Sequence, residues 1–163
     1  MNTFGLHADG PYGGMGGSSY DARDGEEKVK HVDLWTANYG DRPYEVIGAF
    51  NLEFQDGYST GRIGGRDNAV PLYGPYSYDF ADDETITEMH VYAGHDDGFV
   101  NGLSFKTTVR PDGAYDVGGH EGNDNKLVGD ALGAKGEWAG ATGRDNIHGA
   151  DAVVDNMILY FKE

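Results

Sequence analysis

Apolar residues gather along the chain in short runs that alternate with polar ones, rather than recurring every three or four positions. In Val29–Tyr39 (VKHVDLWTANY), Val29, His31, Asp33 and Trp35 share one face and Lys30, Val32, Leu34 and Thr36 the other. The alternation is imperfect, but it predicts a strand. Tyr44–Phe54 (YEVIGAFNLEF) is a second, more apolar strand that ends at the turn Asp56-Gly57. Ile86–Ala93 (ITEMHVYA) and residues 99–109 (FVNGLSFKTTV) follow, the latter closed by Pro111-Asp112-Gly113. Residues 152–161 form the last strand, with Val153, Val154, Met157, Ile158, Leu159, Tyr160 and Phe161 as its buried set. Between these runs lie stretches read as turns and loops, among them residues 10–17 (GPYGGMGG), 71–84 (PLYGPYSYDFADDE) and 143–151. The nearest approach to an amphipathic helix is residues 130–138, which Gly133 and Gly136 weaken.

The runs repeat in thirds. Residues 47–54, 100–105 and 154–161 share an apolar residue, a junction residue, a small or polar residue and a further apolar stretch ending in Phe. The doublets Gly13-Gly14, Gly64-Gly65 and Gly118-Gly119 recur with them. Three similar sheets around one axis produce this pattern. The junction residues are Gly48, Asn101 and Asp155, so two modules keep a polar group there and one does not.

Composition narrows the class. At 163 residues the chain makes one domain, 1–163, with room for a core. Its 27 glycines are scattered between apolar runs, which suits many turns and short strands and hence an all-β fold. The formal charge of −16 disfavours nucleic acid and anionic membranes as partners. With no cysteine, disulfides and thiol chemistry are excluded and the localisation stays open. No signal peptide and no membrane-spanning run is visible.

The candidate chemistry centres on Asp155, a carboxylate where a Gly-rich polar loop meets an apolar strand. Its two oxygens can accept from adjacent hydroxyls of a polyol while nearby backbone N–H groups donate. Residues 97–101 (DGFVN) repeat the spacing of residues 151–155 (DAVVD), so Asp97, Phe99 and Asn101 mark a possible second site. Phe99 can stack on a sugar, although an apolar strand residue is the default for it. His95, His120 and His148 fall in three polar loops without metal-ligand spacing, so no metal site and no cofactor are predicted. The acidic loops leave Ca²⁺ as a weaker alternative, none of them completing an EF-hand. No G-x-S-x-G, HExxH or phosphate loop is present, and a binding protein is favoured over an enzyme.

Three pieces, in order, resemble the jacalin-related lectins: GPYGGMGGSSYD from Gly10, ITEMHVYAGHDDGFVNGLSFKT from Ile86, and LVGDALGAKGEWAGATG with VVDNMILYF near the C-terminus. The resemblance covers about residues 10–161. It implies a β-prism I fold, with three four-stranded antiparallel Greek-key sheets in pseudo-threefold symmetry, and noncatalytic carbohydrate binding. It places a sugar between the opening glycine loop and a closing G-x-x-x-D loop. By that match Asp155 accepts from sugar hydroxyls, and Gly17, Val153 and Val154 offer backbone amides. The chain departs at the motif's glycine. Without a gap that position is Asp151; Gly143 fills it only if residues 144–150 are a loop insertion. Residues precede the opening loop, which by resemblance favours mannose- or glucose-type glycans over galactose-type or complex ones. Weak single sites imply a homo-oligomer for avidity. A prism that serves as a structural or protein-interaction module without sugar binding is the other class.

Overall fold

The computed structural model describes residues 5–39, 44–65, 70–94, 98–145 and 153–163. In chain order the strands are β1 (Leu6–Gly13), β2 (Ser18–Arg23), β3 (Val29–Tyr39), β4 (Tyr44–Phe54), β5 (Ile63–Gly64) and β6 (Tyr73–Asp79). They continue as β7 (Ile86–Ala93), β8 (Val100–Thr107), β9 (Tyr115–Gly118), β10 (Asn123–Leu127), β11 (Trp138–Asp145) and β12 (Val154–Lys162). At the start of the 130–138 stretch the chain forms a single 3₁₀ turn, Gly129–Leu132, and no α-helix. No helix among the described residues is long and apolar enough to cross a membrane.

The strands make three four-stranded sheets: a first sheet β5-β4-β3-β6, a middle sheet β10-β7-β8-β9 and a closing sheet β1-β12-β11-β2. All the pairings are antiparallel. Each sheet is built on a central hairpin of consecutive strands. In the closing sheet the two ends of the chain meet, β1 beside β12. One core is shared by all three. Leu34, Phe50 and Phe54 enter it from the first sheet, Met89, Leu103 and Phe105 from the middle sheet, and Met157, Leu159 and Phe161 from the closing sheet. Each such side chain stabilises the fold by roughly 1.5–3 kcal/mol.

The imperfect alternation of β3 has a local cause. Val29 pairs with Phe54 and His31 with Glu53, so the strand bulges at Lys30 and then resumes period two with Val32 and Leu34 inside. A second bulge recurs in all three central hairpins. Thr36, Ala93 and Asp145 pair with Ile47, Val100 and Val154, while the preceding Trp35, Tyr92 and Arg144 pair with Ala49, Gly102 and Asn156. The extra residues are Gly48, Asn101 and Asp155. The three junction residues of the sequence pattern are therefore one and the same bulge position.

Several strands differ from the sequence expectation. β1, β2, β6, β9 and β10 occupy stretches read as turns and loops, because they lie at sheet edges and carry little apolar alternation. All but one residue of β6 is exposed. Gly143, Arg144 and Asp145 end β11 instead of opening a loop, since each pairs with both β12 and β2.

Candidate carbohydrate site at the Asp155 bulge

At a bulge the extra residue leaves the regular ladder, and its side chain takes a direction the pleat does not offer. Asp155 uses this to reach the opening loop between β1 and β2. A methyl group added to Gly16 or Gly17 would lie 3.0 or 2.9 Å from its Oδ2. Gly17 also has φ of +82°, a conformation that L side chains rarely adopt. Only glycine lets the loop lie this close to the carboxylate. Asp155 is 3% exposed.

The loop is held down at several points. Gly14 N–H donates to the Asp155 carbonyl at 2.8 Å. Asn156 Nδ2 donates to the Gly14 carbonyl at 3.0 Å. The Arg144 guanidinium donates to the carbonyls of Gly16 at 3.2 Å and Gly17 at 2.7 Å. From below, the Tyr20 hydroxyl donates to the Asn156 carbonyl at 2.8 Å. Burial, with the charge of Asp145 and then Tyr160 nearby, pushes the Tyr20 phenol well above its ordinary value, so it stays a donor. Asp145, 1% exposed, accepts from the Gly64 N–H at 2.9 Å and so ties the closing sheet to the first. Arg144, Asn156, Tyr20 and Asp145 escaped the sequence reading. Reading residues 144–150 as a loop insertion hid the first of them.

The other expected site residues divide. Val153 and Val154 immediately precede Asp155, but both side chains are buried in apolar clusters, so what they offer a ligand is backbone. Asp151 and Asp97 lie outside the described residues, as do His95 and His148. Asn101 stands at the same bulge in the middle sheet. Phe99, just before β8 and 7% exposed, packs with Val46, Val70, Ala37 and Val153. At the third bulge, Gly48 meets Leu72. A methyl there would come within 2.6 Å of Leu72 Cδ2, so an aliphatic side chain fills the place that polar groups hold in the other two sheets.

A groove of about 840 Å³ lies on the outer face of the closing sheet, lined by Pro11, Met15, Thr142, Arg144 and Ile158 among others. Met15 belongs to the opening loop and Arg144 anchors it, so the loop that lies against Asp155 also borders this groove. Among the described residues no three His, Asp or Glu side chains converge to hold a metal ion.

The three-sheet fold has counterparts among known proteins. The family model of the jacalin-like lectin domain matches residues 9–151. The chain belongs to that family. No curated protein matches this lectin domain in sequence. Among solved structures, a mannose-binding jacalin-related lectin from Ananas comosus has a TM-score of 0.69 at 19% identity, covering 98% of this chain and 99% of that one. Calystegia sepium agglutinin gives 0.67 at 21% identity, with 94% of each chain covered. A lamprey immune protein gives 0.70 at 14% identity and covers 98% of this chain but 45% of its own. The jacalin-like lectin domain thus spans less than half the length of the lamprey protein and nearly all of the plant lectins. At these identities the likeness shows the fold, a β-prism of three sheets.

Proposed function

We propose that the chain is a noncatalytic lectin whose Asp155 site holds a mannose- or glucose-type residue of a glycan. The observation that carries this reading is the placement of the Asp155 carboxylate at a bulge, directly against Gly16 and Gly17, in a domain of a lectin family. In this reading Asp155 accepts from two neighbouring sugar hydroxyls, and backbone N–H groups of Gly17, Val153 and Val154 donate to the same ring. The mannose-binding plant lectin of the same fold supports the choice of sugar class. Direct hydrogen bonds to a hydrated ligand leave little net energy each, so one site binds a monosaccharide weakly. Avidity then comes from several copies in a homo-oligomer.

A glycan array with wild type beside Asp155→Ala and Asp155→Asn, with and without EDTA, tests this. Mannose-type signal that both substitutions abolish, with unchanged circular dichroism and melting temperature, is the expected result. Signal that survives both substitutions removes Asp155 from the site. Silence of wild type across the array points instead to a protein-interaction module. Loss on EDTA alone would assign the binding to calcium held by the acidic loops.

A further inference from the structure

We propose that the outer face of the closing sheet binds an acyl-chain carboxylate, in the groove bordered by Pro11, Met15, Arg144 and Ile158. This binding requires no sugar at Asp155. The register of the three sheets singles the face out. Three and five residues beyond the bulge residue, the first sheet carries Asn51 and Glu53, the middle sheet Ser104 and Lys106, and the closing sheet Ile158 and Tyr160. Asn51 and Ser104 pair with Asp33 and His90, whereas Ile158 pairs with Thr142. β12 is thus apolar on both faces, since Met157, Leu159 and Phe161 already fill the core. An antiparallel sheet needs one apolar face to pack, so a second one marks a contact surface.

The polar groups along the groove are already engaged. The Thr142 hydroxyl meets that of Tyr160 at 2.9 Å. The Tyr20 hydroxyl is given to the Asn156 carbonyl and the Asn156 amide to the Gly14 carbonyl. Arg23 holds both carboxylate oxygens of Asp21, at 2.8 and 2.9 Å. Arg144 is the exception. Its two bonds go to neutral carbonyls, and it forms no ion pair among the described residues. The groove therefore offers aliphatic surface beside one cation that no carboxylate pairs.

Size and charge select the ligand. A volume of about 840 Å³ is that of a small-molecule site. The lining draws on all four strands of the sheet, a span of roughly 14 Å at the spacing of paired strands. A span of that length suits an extended chain better than a single ring. Met15, 72% exposed, borders it with a flexible thioether that adapts to apolar ligands. A carboxylate at one end of the chain takes charge-assisted hydrogen bonds from Arg144. A second copy of this chain fits less well, because a two-fold contact lays groove on groove and leaves both unfilled.

The test is methyl-resolved NMR titration of wild type, Ile158→Ser and Arg144→Met with octanoate, octanol and octylammonium, all below micelle formation. Octanoate should move the Met15 and Ile158 methyl signals of wild type and leave the Ser104 amide of the middle sheet in place. Ile158→Ser gives this face the residue type of the middle sheet. The octanoate affinity read at Met15 should then fall roughly fivefold or more, with the melting temperature unchanged. Arg144→Met should remove the preference for octanoate over octanol. Silence of the Met15 and Ile158 methyls with octanoate, or an affinity that Ile158→Ser leaves unchanged, overturns the proposal. Equal affinity for octylammonium overturns the carboxylate assignment. Dimerisation of wild type in analytical ultracentrifugation that Ile158→Ser abolishes gives the face to a second copy and overturns the ligand reading.

Discussion

Arg144 donates through Nη2 to the carbonyl oxygen of Gly17 at 2.7 Å, and through Nε to that of Gly16 at 3.2 Å. A cation on the third strand of the closing sheet thus fixes the backbone that lies against Asp155. The contact orders the loop before any ligand arrives, and that order reduces the entropy lost on binding. Arg144→Met keeps the aliphatic stem and removes both bonds. The expected outcome is a loss of sugar affinity of about 1 kcal/mol, roughly fivefold, with a melting temperature close to wild type. Calorimetric titration beside thermal unfolding checks it; an unchanged affinity would make the guanidinium bonds incidental.

The apolar filling at the Gly48 bulge predicts a coupled pair. Gly48 does not have the left-handed φ that favours glycine, so alanine there suffers chiefly from Leu72, whose Cδ2 would lie 2.6 Å from the new methyl, with Ala37 Cβ next at 3.1 Å. Gly48→Ala should destabilise the fold by about 1–3 kcal/mol through overpacking. Leu72→Ala makes room, and the double variant should be more stable than the two single losses predict by about 1 kcal/mol. Urea unfolding of the four proteins measures the coupling; simple additivity would show that Leu72 does not fill the bulge.

Two histidines on outer sheet faces predict how stability follows pH. His31 contacts Asp79 through Nδ1 at 2.6 Å and Asp33 through Nε2 at 2.8 Å. His90 contacts Asp124 through Nδ1 at 2.6 Å and Glu88 through Nε2 at 3.1 Å. Carboxylates on both ring nitrogens require both to donate, which is the imidazolium form. Burial opposes that charge in each ring, but the carboxylates outweigh it and hold both above the ordinary 6.5. The stabilisation is therefore complete below 6.5 and is lost as pH rises through the folded value. Melting temperatures of wild type and His31→Gln should converge as pH is raised. A gap that widened on the alkaline side would reverse the sign of this linkage.

Glu84 predicts the acid limb. It is 2% exposed and accepts from the Tyr78 hydroxyl, the Thr107 hydroxyl and the Ala81 N–H at 2.8 Å. Burial raises its pKa, but the Thr107, Tyr78 and Ala81 bonds lower it more, leaving it below the ordinary 4.5. Its contribution is present above 4.5 and is lost as pH falls through the folded value. Glu84→Gln turns an amide N–H₂ towards groups that donate, and should cost about 1–3 kcal/mol in urea unfolding at neutral pH. The difference from wild type should shrink in acid; a constant difference would mean that the carboxylate charge is not what is lost.

Local patterning was enough for Val29–Tyr39, Tyr44–Phe54 and Ile86–Ala93, because a strand with one face in the core must write its period into the chain. It was also enough for the threefold repeat and for Gly48, Asn101 and Asp155 as equivalent positions, since each follows the apolar residue that opens its repeated segment, Ile47, Val100 or Val154. The edge strands were not legible. β6 and β10 are held mainly by backbone hydrogen bonds, and those bonds leave no mark on side-chain polarity. Only the tertiary structure decided that the three junction residues are bulges, because a bulge is a difference in count between two paired strands. It alone showed Arg144 on the opening loop, 127 residues from Gly17 in sequence, and Leu72 closing the third position. It also turned Phe99 inwards. These are relations between segments far apart in the chain, and the shared core and the register of the hairpins bring them together.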